Sequence, residues 1–113
     1  MDAFTRGRTE SAFAPPYAGN DKLFAGARVD GETIEGAQYS HSTFANVSFL
    51  KTRIVSGQFR NCVFVECYFR KSELKNSSFV GCRFINCNFS HCVIGSSDFR
   101  YADFRGMRRH TKK

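Results

Sequence analysis

The residues best equipped for chemistry are five cysteines, Cys62, Cys67, Cys82, Cys87 and Cys92. Thiols can form disulfides, bind zinc or hold an iron–sulfur cluster, and each task has its own spacing. Here the separations are five and twenty residues, and no CxxC is present. A chain that turns every five residues puts neighbouring cysteines on different faces, so no metal or cofactor site is expected. Cysteines twenty apart, such as Cys62 and Cys82 or Cys67 and Cys87, would stack with parallel side-chain vectors, a poor geometry for a bridge. The thiols therefore read as small core residues, and their unpaired state favours a reducing compartment. His41, His91 and His110 have no partner at a catalytic spacing, and Glu66 and Glu73 fall on different faces. With no glycine-rich phosphate loop, HExxH or GxSxG in the chain, it reads as non-enzymatic.

The element that places these residues is a repeat. A large apolar residue occupies every fifth position from Phe24 to Phe104, and in fifteen of the seventeen units the residue two before it is small. Lys22 and Glu32 are the exceptions. A period of five fits neither an α-helix nor a plain strand. It does fit an extended stretch whose alternate residues, small then large, point inward, followed by a two-residue corner. Gly26, Gly31, Gly36, Asn46, Asn61, Asn76 and Asn86 stand at that corner, where a positive φ is tolerated. Every fourth unit is alike: Phe24, Phe44, Phe64, Phe84 and Phe104 form one column, and Ile34, Ile54, Leu74 and Ile94 another. Val29, Phe49, Phe69 and Phe89 form a third, and Tyr39, Phe59, Phe79 and Phe99 the fourth. The expectation is a square coil of twenty residues whose turns pair as parallel strands about 4.8 Å apart.

Units such as Cys62-Val63-Phe64-Val65-Glu66, Cys82-Arg83-Phe84-Ile85-Asn86 and Ala102-Asp103-Phe104-Arg105-Gly106 resemble those of pentapeptide-repeat proteins. The resemblance implies an all-β fold, a right-handed quadrilateral parallel β-helix of about four coils over residues 22–106. Residues 1–21 read as an extended arm or cap, with an organellar presequence as the alternative. Residues 107–113 read as a basic tail. The unit departs from the family pattern in its central Asp or Asn, present only at Asn88, Asp98 and Asp103.

Net charge is +7 but unevenly spread: residues 1–50 carry −2 and residues 51–113 carry +9. Mapped onto four faces, Lys51, Arg70 and Lys71 share one face and its corner, with Arg53 and Lys75 adjoining, so a basic corner is expected. Arg105, Arg108 and Arg109 extend the basic character toward the C-terminus. Leu23, Val63, Val65 and Ile85 are expected to face outward on the wall of the all-phenylalanine column, an apolar row that suits protein contact. These features favour a non-enzymatic scaffold or protein-binding module, an accessory subunit docking onto a larger assembly. Alternatives are a regulator of DNA gyrase, suggested by the family resemblance alone, and nucleic-acid binding through the basic corner and tail. The resemblance also makes a homodimer through the coil ends conceivable. No apolar run reaches the roughly eighteen residues of a membrane span, and a soluble protein is expected.

Overall fold

The repeat closes because its corners adopt one backbone conformation. In the computed structural model, which describes residues 12–106, all seventeen corner residues from Gly26 to Gly106 have φ between 48 and 76°. Twelve of them are not glycine, including Lys51, Glu66, Lys71 and Tyr101. The left-handed region costs an L-residue roughly 1–2 kcal/mol, so the corner is imposed by the coil rather than chosen residue by residue. In six units, those of Val29, Phe49, Phe69, Phe79, Phe89 and Phe99, the carbonyl of the large residue accepts the N–H three residues on, at 3.0–3.1 Å. With positive φ at the third position these are type II turns.

Among the described residues, twelve three-residue strands result: β1 (Ala18–Asn20), β2 (Leu23–Ala25), β3 (Thr33–Glu35), β4 (Gln38–Ser40), β5 (Thr43–Ala45), β6 (Arg53–Val55), β7 (Gln58–Arg60), β8 (Val63–Val65), β9 (Glu73–Lys75), β10 (Arg83–Ile85), β11 (Val93–Gly95) and β12 (Asp103–Arg105). All pair in parallel with a shift of twenty residues. The first face is β2-β5-β8-β10-β12, the third β3-β6-β9-β11 and the fourth β1-β4-β7. The second face is held by single pairs, Arg28 to Ser48, Ser48 to Tyr68 and Tyr68 to Asn88. The register superposes Phe24, Phe44, Phe64, Phe84 and Phe104 as the columns require.

Inside, the rings stack. Phe44–Phe64, Phe49–Phe69, Phe59–Phe79 and Phe69–Phe89 lie 4.7–5.0 Å apart and within 7° of parallel. That spacing is the interstrand distance, so each column is a ladder with one rung per coil.

The small inward residues have a second task. Cys67, Cys82 and Cys87 donate Sγ–H to the carbonyls of Phe44, Phe59 and Phe64, twenty-three residues earlier, at 3.1–3.2 Å. Thr52 Oγ1 donates to Val29 O at 2.9 Å in the same relation. Ser77 Oγ donates to Ile54 O in that relation at a longer 3.5 Å and also accepts the Gly57 N–H at 3.0 Å. The position therefore demands a compact side chain, and cysteine, serine and threonine add a hydrogen bond to backbone where Ala37, Val47 and Gly57 only pack. Among the described residues no buried side-chain nitrogen or oxygen lacks a partner.

Winding begins one unit before the first large residue. β1 pairs with β4 and sets Gly19 opposite Tyr39, so part of the segment expected as an arm is already coil. A Cβ on Gly19 would come within 2.6 Å of Lys22 Cγ. The Lys22 stem thus lies against the missing side chain, which explains why a long residue stands where the pattern asks for a small one. Above it Phe13 seals the bore, its ring 5.0–5.9 Å from those of Phe24, Phe44, Phe49 and Tyr39.

Candidate functional site

Three surfaces stand out, and they lie on different parts of the coil. The basic corner forms as its spacing suggests: Lys51 and Lys71 occupy consecutive rungs of the corner after the second face, and the Lys51 N–H binds the Arg70 carbonyl at 3.1 Å. Both lysines are exposed, as is Lys75 on the third face. Arg53 is neutralised. Its Nε lies 3.0 Å from Glu73 Oε1 on the next coil. Like charges on adjacent rungs repel, so the Lys51–Lys71 pair is a local cost to the fold.

The apolar wall is smaller than the residue pattern suggests. Val63, Val65 and Ile85 are half-buried on the first face, with Val65 directly opposite Ile85. Leu23 does not join them: only 5% of it is exposed, and Thr43 below it is also buried. An outward-facing position is therefore not equivalent to an exposed one on the first two coils: Leu23 is covered although it does not join the core cluster of the bore.

The third surface is the C-terminal coil end, where the sequence already pointed to contact with a partner or a second copy, although the apolar residues that form it were not among the candidate site residues. Beyond the last coil the ladder has no further rung among the described residues, and Ile94 is 50% and Phe104 45% exposed, with Val93 and Tyr101 (86%) beside them. The signal was present in the repeat itself, since the final unit of any stack lacks a neighbour. Charge on this rim is paired within each unit. Arg100 grips Asp98 through two N–H groups at 2.8 and 3.0 Å, and Arg105 Nε lies 2.9 Å from Asp103. The Arg100 hydrogen bonds hold the Asp98 carboxyl below its usual range. Arg108 and Arg109 lie outside the described residues.

Nothing in the bore invites catalysis. Burial raises the Cys67 thiol, and it raises the Tyr39 phenol; Cys82 is raised first by its hydrogen bond with Cys62 and then by burial. No disulfide links any of the five cysteines. Thiols raised in this way make poor nucleophiles and poor metal ligands, whereas the hydrogen bond with Cys67 lowers Cys87.

A four-sided parallel solenoid with alternating small and large inward residues defines the pentapeptide-repeat class of β-helix, and residues 77–108 match the family model described as pentapeptide repeats (8 copies). Residues 20–89 match the model described as the SV2A/B/C luminal domain; spanning more than half of the sequence, this match places the chain in that family. Among solved structures, the pentapeptide-repeat protein Rfr23 from the cyanobacterium Cyanothece 51142 is similar at a TM-score of 0.52 and 10% identity, over 85% of this chain and 89% of that one. QnrB1, a plasmid-mediated fluoroquinolone resistance protein, is similar at a TM-score of 0.47 and 17% identity, over 75% of this chain and 57% of that one. No curated protein matches the sequence. The first likeness shows the right-handed quadrilateral fold. No helix among the described residues is long and apolar enough to cross a membrane.

Proposed function

We propose that this chain is a non-enzymatic protein-docking module, an accessory part of a larger assembly, and that the last coil is its main contact surface. One observation carries the reading: Val93, Ile94, Tyr101 and Phe104, four of the five exposed large hydrophobic residues among those described, fall within one coil end, while the opposite end is sealed by Phe13. A solvent-facing cluster of that kind is the ordinary signature of a protein interface. Unpaired strand edges at the same end add backbone donors and acceptors for a partner.

The basic corner at Lys51, Arg70, Lys71 and Lys75 serves as a second, electrostatic contact. Among the described residues the rim charges are paired, Arg100 with Asp98 and Arg105 with Asp103. This supports contact with an apolar, uncharged surface, a second copy of the chain included. Five cysteines without a disulfide suit a reducing compartment.

Affinity purification of the full chain followed by mass spectrometry tests the reading. Ile94→Asp with Phe104→Asp should abolish stoichiometric co-purification of a partner while the circular dichroism spectrum keeps its β character. Lys51→Glu with Lys71→Glu should weaken it and reduce its dependence on salt. Retention of the same partner by the doubly substituted end would overturn the assignment of the end face.

A further inference from the structure

A groove runs along the edge between the first and second faces, from Gly26 on the first coil to Gly106 on the last. Five corner rungs about 4.8 Å apart make it about 19 Å long. Asn46, Glu66 and Asn86 stand on consecutive rungs along one rim, and Tyr68 lies at the centre of the floor. Tyr68 is the sole aromatic residue at an outward position on the four walls of the described coil, and it is 37% exposed. The other described rings fill the bore, cap its entrance or, like Tyr101, sit on the final coil. Glu66 has no ion pair among the described residues, and Arg28 at the upper end is paired with Asp30 at 2.7 Å. The groove thus combines one flat, fixed apolar face with a carboxylate and two carboxamides at single-coil spacing, and no free cation is among its described lining residues.

That combination selects a ligand class. A phosphate-bearing strand would meet Glu66 and find only Arg28, already paired with Asp30, among the described lining residues. A purely apolar segment would strand the carboxylate and both amides without partners, which costs free energy when they are desolvated. A neutral pyranoside chain satisfies each group: the C–H face of one sugar ring lies on Tyr68, and its hydroxyls donate to Glu66 and exchange hydrogen bonds with Asn46 and Asn86. We propose that this groove binds a neutral oligosaccharide lengthwise. Its central residues, Glu66 and Tyr68, lie on an inner coil away from the exposed Ile94 and Phe104, so either assignment can fail without the other.

Nuclear magnetic resonance titration of the full chain with cellohexaose, chitohexaose and maltohexaose, each to about 5 mM, is the test, because open grooves of this depth bind weakly. At least one of these should shift the backbone resonances of Asn46, Glu66, Tyr68 and Asn86 together. Tyr68→Ala should then weaken binding about tenfold. Tyr68→Phe should retain it, and Glu66→Gln should weaken it less than Tyr68→Ala does. Tyr101→Ala, with an equally solvent-facing ring elsewhere, should leave it unchanged. No shift with any of the three probes, shifts scattered away from the groove, or equal affinity for Tyr68→Ala in a folded protein would each overturn the proposal.

Discussion

Two glycines separate backbone strain from crowding. Gly31 has φ +76° and open space where a Cβ would go, whereas at Gly81, with φ +72°, a Cβ would run into Asn61 Oδ1. Gly31→Ala should therefore cost about 1 kcal/mol from conformation alone. Gly81→Ala should cost about 2 kcal/mol or more, and Asn61→Ala in the same chain should recover the excess. The opposite substitution is informative at corners that hold an ordinary residue. Ser56, exposed with φ 57°, should gain up to about 1 kcal/mol on replacement by glycine, because the strain released exceeds the added chain entropy. Urea midpoints measure all of these. Residue identity signalled the corner where glycine or asparagine occupies it. It could not signal that Lys51, Glu66 and Tyr101 share the same φ, since those side chains have no preference for it and the coil alone compels them.

At the level of the strand and its turn, the inward small residue joins one coil to the one before. Cys82→Ala removes the Sγ–H bond to Phe59 O and should cost about 1 kcal/mol; Cys82→Ser, which keeps a donor, should cost less. Removing a central rung is more severe. Phe64 is fully buried between Phe44 and Phe84, so Phe64→Ala should cost about 3–5 kcal/mol by denaturant unfolding. The ladder itself was legible in the twenty-residue repetition of phenylalanine, and so was the inward place of the cysteines. Their hydrogen bonds were not, because smallness and donor capacity coincide in serine, threonine and cysteine. Leu23 shows the converse failure: period two gives the direction of a side chain, but burial depends on what else packs there.

For the whole molecule, the core predicts a one-sided response to pH. Tyr39, Cys67 and Cys82 are held neutral, with folded pKa values above those of the unfolded chain. Their contribution is complete below the unfolded values, about 8.5 for a thiol and about 10 for a phenol, and is lost as pH rises beyond them. The urea midpoint should stay level between about pH 6 and 8 and fall above about 8.5. Tyr39→Phe should make the fall above about pH 10 shallower. The basic corner could be drawn from charge spacing because lysines at a corner have nowhere to go but solvent. The exposed end could be drawn only from the stacking itself, in which the last rung of a ladder has a neighbour on one side alone.

Because each five-residue unit supplies one side of the square, chain length acts on this molecule as rotation. Excising a single unit, such as residues 57–61, would turn everything downstream by a quarter, moving Lys71 and Tyr68 around the axis away from Lys51 and Ser48. Excising a full circuit of four units would remove one storey and leave every surviving column aligned. Length changes in this architecture should therefore be accepted in multiples of twenty and refused in fives.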